Sequence, residues 1–244
     1  MEWGSRGKSL WKRLLDIVFP RTCVQCGRYL EECGEVRFTC RACFEAYKFT
    51  KEPLCDQCGV PFYGKIAQSR KCAGCESAPP VFRQARSIFL YRDTGARVVH
   101  CLKYEKGSWL QPEITALVRA DLRWKAYFED AILVPVPLHF RKLQSRGYNQ
   151  AEVIARAICE AVPSACINAC LRRVRATPSQ TFLSREQRKH NMSGAFSCVN
   201  PPEIMGRIIV VDDVLTTGAT LNAAVQALNM VGLEDIYAFT LAHG

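Results

Sequence analysis

The hydrophobic pattern separates an early stretch with no sustained period from a longer part in which short apolar runs alternate with helical stripes. The clearest run is Ile208, Ile209, Val210 and Val211, four β-branched residues suited to an interior parallel strand covered on both faces. Residues 131–137 (AILVPVP) read the same way and are ended by prolines, which cannot continue a ladder. Residues 87–91 and 236–241 give two further strands. Helical spacing covers residues 94–105 and 111–128, with Gly107 and Pro112 at the break, and a third helix runs to Ala161. A fourth follows residue 218, with Leu221, Ala224, Val225 and Leu228 on one face and Gly232 as its cap. Strands and helices taken in turn predict an α/β fold with a parallel sheet flanked by helices.

At the amino end, residues 8–19 (KSLWKRLLDIVF) place Leu10, Trp11, Leu14, Leu15, Val18 and Phe19 on one helical face. An amphipathic helix over residues 1–20 is expected, packed on its own domain. Lys12, Arg13 and Asp16 exclude a transmembrane span or a secretory signal there, so the cytoplasm is the expected compartment.

The early stretch owes its lack of period to cysteine. Cys23, Cys26, Gly27, Cys40 and Cys43 recur 32 positions later as Cys55, Cys58, Gly59, Cys72 and Cys75. Four thiolates complete the coordination of a tetrahedral zinc, which marks a structural site. Two four-cysteine zinc ribbons are therefore expected over residues 21–78. Spacing alone leaves open whether each half binds its own ion or the pairs interleave, and a disulfide reading is the lesser alternative. Cys33 is a spare thiol, and Cys101, Cys159, Cys166, Cys170 and Cys198 read as small core or surface residues. Pro79 and Pro80 close the ribbons, and residues 81–244 form the second domain.

Metal changes the meaning of the charge. The formal +10 falls to +6 once eight thiolates and two zinc ions are counted. Residues 21–76 then carry −2, which argues against the ribbons gripping a phosphate backbone unaided. Residues 139–190 carry +7, so the positive field belongs to the later part of the chain.

The most specific chemistry follows the clearest strand, in Asp212-Asp213 and then Thr216-Thr217-Gly218-Ala219-Thr220. The acids are expected to sit where the chain leaves the sheet, since both escape burial only there. A small-residue turn into a helix start offers free amides, close backbone approach at Gly218 and three hydroxyls, which together suit a phosphate. The acids suit sugar hydroxyls, or magnesium through water. Phosphate and ribose side by side mean a ribose 5-phosphate. Residues 59–65 (GVPFYGK) imitate a P-loop, but Ile66 stands where a metal-binding hydroxyl is needed and the stretch lies between cysteine pairs, so that reading is rejected. Lys103 and Lys106 read first as a solvated helix face, with an approach to a phosphate as the other reading, and no histidine is given a catalytic role.

Residues 212–220 resemble the signature of type I phosphoribosyltransferases, whose substrate is phosphoribosyl pyrophosphate (PRPP). The chain further resembles the ComF/GntX family: PVPL at 135–138, RGYNQ at 146–150, then Gln180, Leu183, Arg188, Asn191 and Gly194-Ala195-Phe196, with the amino-terminal cysteine pairs. Tyr148 stands where phenylalanine is the commoner residue. The resemblance implies a type I phosphoribosyltransferase-like sheet preceded by a small double zinc-ribbon domain. It implies that Asp212 and Asp213 hold the ribose and that Thr216, Thr217, Gly218, Ala219 and Thr220 hold the 5-phosphate. Arg141, Lys142 and Arg146, in a basic loop, fall on the pyrophosphate side. Residues 172–191 read as a long basic loop; the resemblance implies that it closes over substrate, bringing Arg185, Arg188 and Lys189, while a basic tether for nucleic acid is the other reading. Biologically, the resemblance implies a part in DNA uptake during natural competence, with single-stranded DNA or DNA-processing proteins as partners. Transfer to an acceptor that the sequence does not specify is one functional reading. A non-catalytic module that senses PRPP or binds single-stranded DNA is the other.

Overall fold

The computed structural model describes residues 21–30, 38–64, 68–175, 194–203 and 206–244. The helix expected over residues 8–19, Cys33, Ile66 and the loop residues Gln180, Leu183, Arg185, Arg188, Lys189 and Asn191 lie outside them.

Two short helices belong to the cysteine repeat, α1 (Arg41–Glu45) and α2 (Ala73–Ser77). The sheet domain runs β1 (Ala85–Leu90), α3 (Asp93–Tyr104), a 3-10 turn (Gly107–Leu110), α4 (Gln111–Arg119), α5 (Leu122–Phe128) and β2 (Ile132–Pro135). It continues with α6 (Phe140–Arg146), α7 (Gln150–Ala161), β3 (Cys166–Ile167), β4 (Leu171–Arg173), β5 (Phe196–Cys198), β6 (Ile208–Leu215), α8 (Ala219–Asn229) and β7 (Tyr237–His243).

Five strands form one parallel sheet in the order β1-β7-β6-β2-β3, and β4 and β5 form a separate antiparallel ribbon. Strand alternation sorts the core into two layers. Leu133, Ile209, Val211 and Phe239 face α3, α4, α5 and α7, where Ile114, Trp124, Phe128, Ile154 and Ile158 are buried. Ile208, Val210, Val134 and Ala238 face α8 and the β4–β5 ribbon, where Leu221, Ala224, Leu228 and Phe196 are buried. Both faces are covered, which is why the strands read as continuous apolar runs.

The ribbons are fixed to this domain along the outer edge of β1. Leu90 N–H donates to the Lys48 carbonyl at 2.8 Å and Thr50 N–H to the Ile88 carbonyl at 2.9 Å, with an antiparallel bridge between Phe49 and Phe89. That covers an edge which would otherwise present unpaired amides. Tyr47 enters the α-layer core, and the buried carboxylate of Glu113 in α4 accepts Phe38 N–H at 2.7 Å and the Thr39 hydroxyl. On the other face, Gly59 passes so close to β1 that a Cβ there would stand 2.6 Å from the Ala85 carbonyl oxygen.

Three elements differ from the sequence reading. Residues 111–128 are two helices, with the Asp121 carboxylate capping the second by accepting Arg123 N–H. The basic loop after β2 is the helix α6, in which no residue is buried and hence no apolar period shows. Residues 171–173 at the start of the long polar segment pair with residues 196–198 as a ribbon, too short to register as alternation.

Candidate functional site at the carboxyl ends of β2 and β6

The connection from β2 leads outward to β3, while that from β6 leads the opposite way to β7. The gap between the carboxyl ends of β2 and β6 is therefore the switch point where open parallel sheets bind ligands. Pairing between these strands ends at Pro135 with Val211, and the last bond is Val136 N–H to the Val211 carbonyl at 2.9 Å. On its other side β6 stays paired with β7 through Asp212 with Thr240 and as far as Leu215 with His243. Contrary to the sequence reading, in which the two acids end the strand, β6 runs on through them to Leu215. It outlasts β2 by four residues, and its unpaired edge lines the gap.

Alternation sends the two acids to opposite faces. Asp213 follows Ile209 and Val211 toward α3 and is buried, contrary to the expectation that both acids escape burial. Lys103 Nζ in α3 lies 2.9 Å from Asp213 Oδ1, an ion-pair partner for the buried carboxylate. The pair raises the Lys103 ammonium above the ordinary range despite burial, which acts the other way. Asp213 Oδ2 is buried with no hydrogen-bond partner among the described residues, which leaves one carboxylate oxygen beside the Lys103 pair with acceptor capacity to spare. Asp212 follows Ile208 and Val210 toward β4, where Arg173 feels its charge. Burial, then the charge of Asp213, pushes the Asp212 carboxyl up to about 7, and its Oδ1 accepts Asp213 N–H at 2.8 Å.

Cations face this edge. The Lys142 ammonium in α6 is held below the ordinary lysine range by desolvation and then by the positive charges of Arg173, Arg146 and Lys103. Arg146 also lies 5.8 Å over the Tyr104 ring and donates to Gln150 Oε1. Arg141 instead places its guanidinium 5.8 Å from the exposed Phe140 ring. Four cations from three elements, Lys103, Lys142, Arg146 and Arg173, thus converge around the acids, a field suited to a polyanion.

At the end of β6 the chain turns through Thr216 and Thr217 into Gly218, whose φ of 73° is left-handed and favours glycine. Thr217 Oγ1 accepts Ala219 N–H at 3.4 Å, and α8 begins there. Behind the turn lies Phe82, buried, 3.7 Å from where a Gly218 Cβ would stand. Asn222 Oδ1 accepts Val81 N–H at 2.9 Å, so the linker after the ribbons forms the rear wall of the turn.

Each half of the cysteine repeat closes on itself. The sulfurs of Cys23, Cys26, Cys40 and Cys43 lie within 4.8 Å of one another, as do those of Cys55, Cys58, Cys72 and Cys75, which removes the interleaved alternative. Cys26 and Cys40 are 3.8 Å apart at sulfur, and so are Cys58 and Cys72. A tetrahedron with Zn–S bonds of about 2.3 Å has an edge of about 3.8 Å. In both halves the same amide supports the first ligand: Cys40 N–H donates to Cys23 Sγ at 3.4 Å, Cys72 N–H to Cys55 Sγ at 3.3 Å. The two sets fit zinc, and none of the described cysteines is in a disulfide.

Comparison with known proteins agrees with both halves of this picture. Residues 14–76 match the double zinc ribbon domain, and residues 143–244 match the phosphoribosyl transferase domain. Competence protein F of Haemophilus influenzae is 30% identical over 199 residues, covering 78% of this chain and 84% of its own. The chain belongs to the ComF/GntX family. Other relatives of this ComF/GntX protein are the DNA utilization protein YhgH of Escherichia coli, 28% identical over 207 residues (83% and 88% covered), and Competence protein ComFC of Bacillus subtilis, 26% over 220 residues (83% and 82%). In this ComF/GntX chain the structure brings two cations to the acids that no sequence pattern pairs with them. Lys103 reads from the sequence as a solvated face or an approach to a phosphate, and its partner Asp213 is too distant in sequence to betray the pair. Arg173 was assigned to a loop, and only the β4–β5 pairing aims it at Asp212. No helix among the described residues is long and apolar enough to cross a membrane.

Proposed function

We propose that the gap between β2 and β6 binds PRPP with magnesium and transfers its phosphoribosyl group to an acceptor. Asp212 and Asp213 would hold the ribose hydroxyls, and Thr216, Thr217, Gly218, Ala219 and Thr220 the 5-phosphate. Lys142 and Arg146, joined by Lys103, would take the pyrophosphate, with Arg141 at the rim. The observation that carries this reading is the unpaired edge of β6 beyond Val211, which holds Asp212 and Asp213 just before the Gly218 turn, with Lys103 paired to Asp213 and Lys142 feeling its charge. The spare Asp213 oxygen suits a ribose hydroxyl or a magnesium-bound water. Magnesium would supply charge neutralisation of the leaving pyrophosphate; the chain's own groups orient the sugar and meet the departing charge where it develops. Displacement at the anomeric carbon then needs no proton from the protein at the sugar.

Calorimetric titration of zinc-replete protein with PRPP and magnesium tests the binding. Micromolar binding that Asp213→Asn abolishes is expected, and no heat on the wild type would overturn the reading. Release of pyrophosphate with some acceptor distinguishes a transferase from a sensor.

A second reading, binding of single-stranded DNA near the same face, is favoured by α6, which buries no residue and leaves Arg141 and Phe140 exposed. The relatives' names mention competence and DNA utilization, which accords with a role in handling imported DNA and with a cytoplasmic location. Salt-sensitive binding of an oligonucleotide that weakens on Arg141→Ala would support it.

A further inference from the structure

Outside the zinc sites, the fold brings together two cysteines that the sequence keeps 28 positions apart. Leu171 pairs with Cys198 in the antiparallel ribbon, and Val199 N–H donates to the Cys170 carbonyl at 2.8 Å, so Cys170 and Cys198 stand one rung apart on neighbouring strands. With strands about 4.8 Å apart and a rise of about 3.4 Å per residue, that offset puts their Cα atoms about 6 Å apart. Disulfides span about 4.4 to 6.8 Å between Cα atoms. Regular pleating would turn residues one rung apart to opposite faces. Cys170 precedes the first residue of β4, however, and both side chains pack into the same apolar cluster with Ala195 and Phe196. Burial, and then the adjoining Cys198 thiol, push the Cys170 thiol up to about 12, consistent with two sulfhydryls side by side.

We propose that Cys170 and Cys198 form a reversible disulfide that clamps the β4–β5 ribbon and thereby repositions Arg173 beside Asp212. Cys198 is partly exposed and Cys170 buried, so Cys198 is the entry thiol. Its thiolate attacks a low-molecular-weight disulfide, forming a mixed disulfide and releasing one thiolate. Cys170, on losing its proton, attacks the Cys198 sulfur and expels the second. The two cysteines give up two protons and two electrons, and the small disulfide is reduced to two thiols. Burial of Cys170 makes the second step slow at neutral pH and faster as pH rises. Drawing the sulfurs to bonding distance displaces the start of β4, which carries Arg173 three residues on.

The consequence for ligand rests on the PRPP reading; the bridge itself does not. Zinc-saturated full-length protein is incubated with glutathione disulfide, alkylated and digested. Mass spectrometry should recover a peptide pair linked through Cys170 and Cys198, with bound zinc unchanged by a chromogenic assay, and dithiothreitol should reverse it. Cys198→Ser should leave no such pair. Calorimetry with PRPP should then show affinity several-fold weaker for oxidised than for reduced wild type, and no difference for Cys198→Ser. Glutathione remaining on Cys198 alone, a bridge at Cys159 and Cys166 instead, or oxidation only after zinc loss would each overturn the proposal. So would a formed bridge without effect on a reduced form that does bind PRPP. Failure of reduced wild type to bind PRPP would count against the function proposed above and leave the mass-spectrometric result standing.

Discussion

Each zinc site takes its four ligands from one short stretch, residues 23–43 or 55–75, whereas the site at β2 and β6 draws Lys103, Lys142, Arg173 and Asp213 from four separate elements. The ribbons are local chemistry, in which a metal substitutes for a core too small to form. The switch-point site is global: apart from the adjacent Asp212 and Asp213 and the α6 pair Lys142 and Arg146, its charges come from elements far apart in sequence, and their meeting depends on the sheet being assembled. The two regions also meet. Cys58 packs against the cluster that holds Phe82, Leu215 and Ala219, so the second ribbon lies behind the turn at Gly218.

The largest expected effect separates the regions outright. Cys55→Ser should leave one zinc per chain and lower Tm by more than about 10 °C, since a structural zinc contributes on the order of 10 kcal/mol or more to folding in small peptides. If the ribbon backs the turn as described, PRPP affinity should fall with it, measured by calorimetry at a temperature where circular dichroism still reports a folded sheet.

Next comes the buried ion pair. Lys103→Met removes the only cation within ion-pair distance of the buried Asp213 carboxylate among the described residues, a loss of about 3–5 kcal/mol by urea denaturation. Adding Asp213→Asn should restore most of that stability and none of the PRPP binding. A site built from local chemistry would show no such rescue across two elements.

Gly218→Ala is a smaller test. A left-handed residue with a Cβ costs about 1–2 kcal/mol, and the space around the position is open enough that the cost is backbone strain alone. Thermal unfolding should shift by a few degrees, with PRPP affinity reduced by more than that shift explains.

The finest test is pH. With the folded Asp212 carboxyl raised to about 7 and the unfolded one near 3.9, the folded state binds more protons in between. Its contribution to stability is present in full below the lower value and disappears as pH rises through about 7. Asp212→Asn removes that dependence. In the absence of PRPP and magnesium, the Tm of the variant relative to wild type should therefore rise from pH 5 to pH 8. A constant difference would mean that Asp212 is ionised throughout.

The legible parts of the site were those written in consecutive residues. The acids, the turn at Gly218 and the cysteine spacings carry their meaning in a few positions each, because strand alternation, helix entry and tetrahedral coordination are short-range geometry. Helix α6 was illegible for a physical reason: with no buried residue it has no apolar stripe to detect. The short β3, β4 and β5 strands gave too few residues for alternation to register.

By itself, then, the sequence determined the class of fold, the eight metal-binding cysteines and the identity of the phosphate-suited turn, since each is written in short-range spacing; which four cysteines gather at one site was decided by the structure. The tertiary structure alone decided that β6 extends past β2, that Asp213 is buried against Lys103 while Asp212 meets Arg173, and that Cys170 lies beside Cys198. Those facts follow from register and strand order, which bring distant residues within a few ångströms of each other. No local pattern records a distance of that kind.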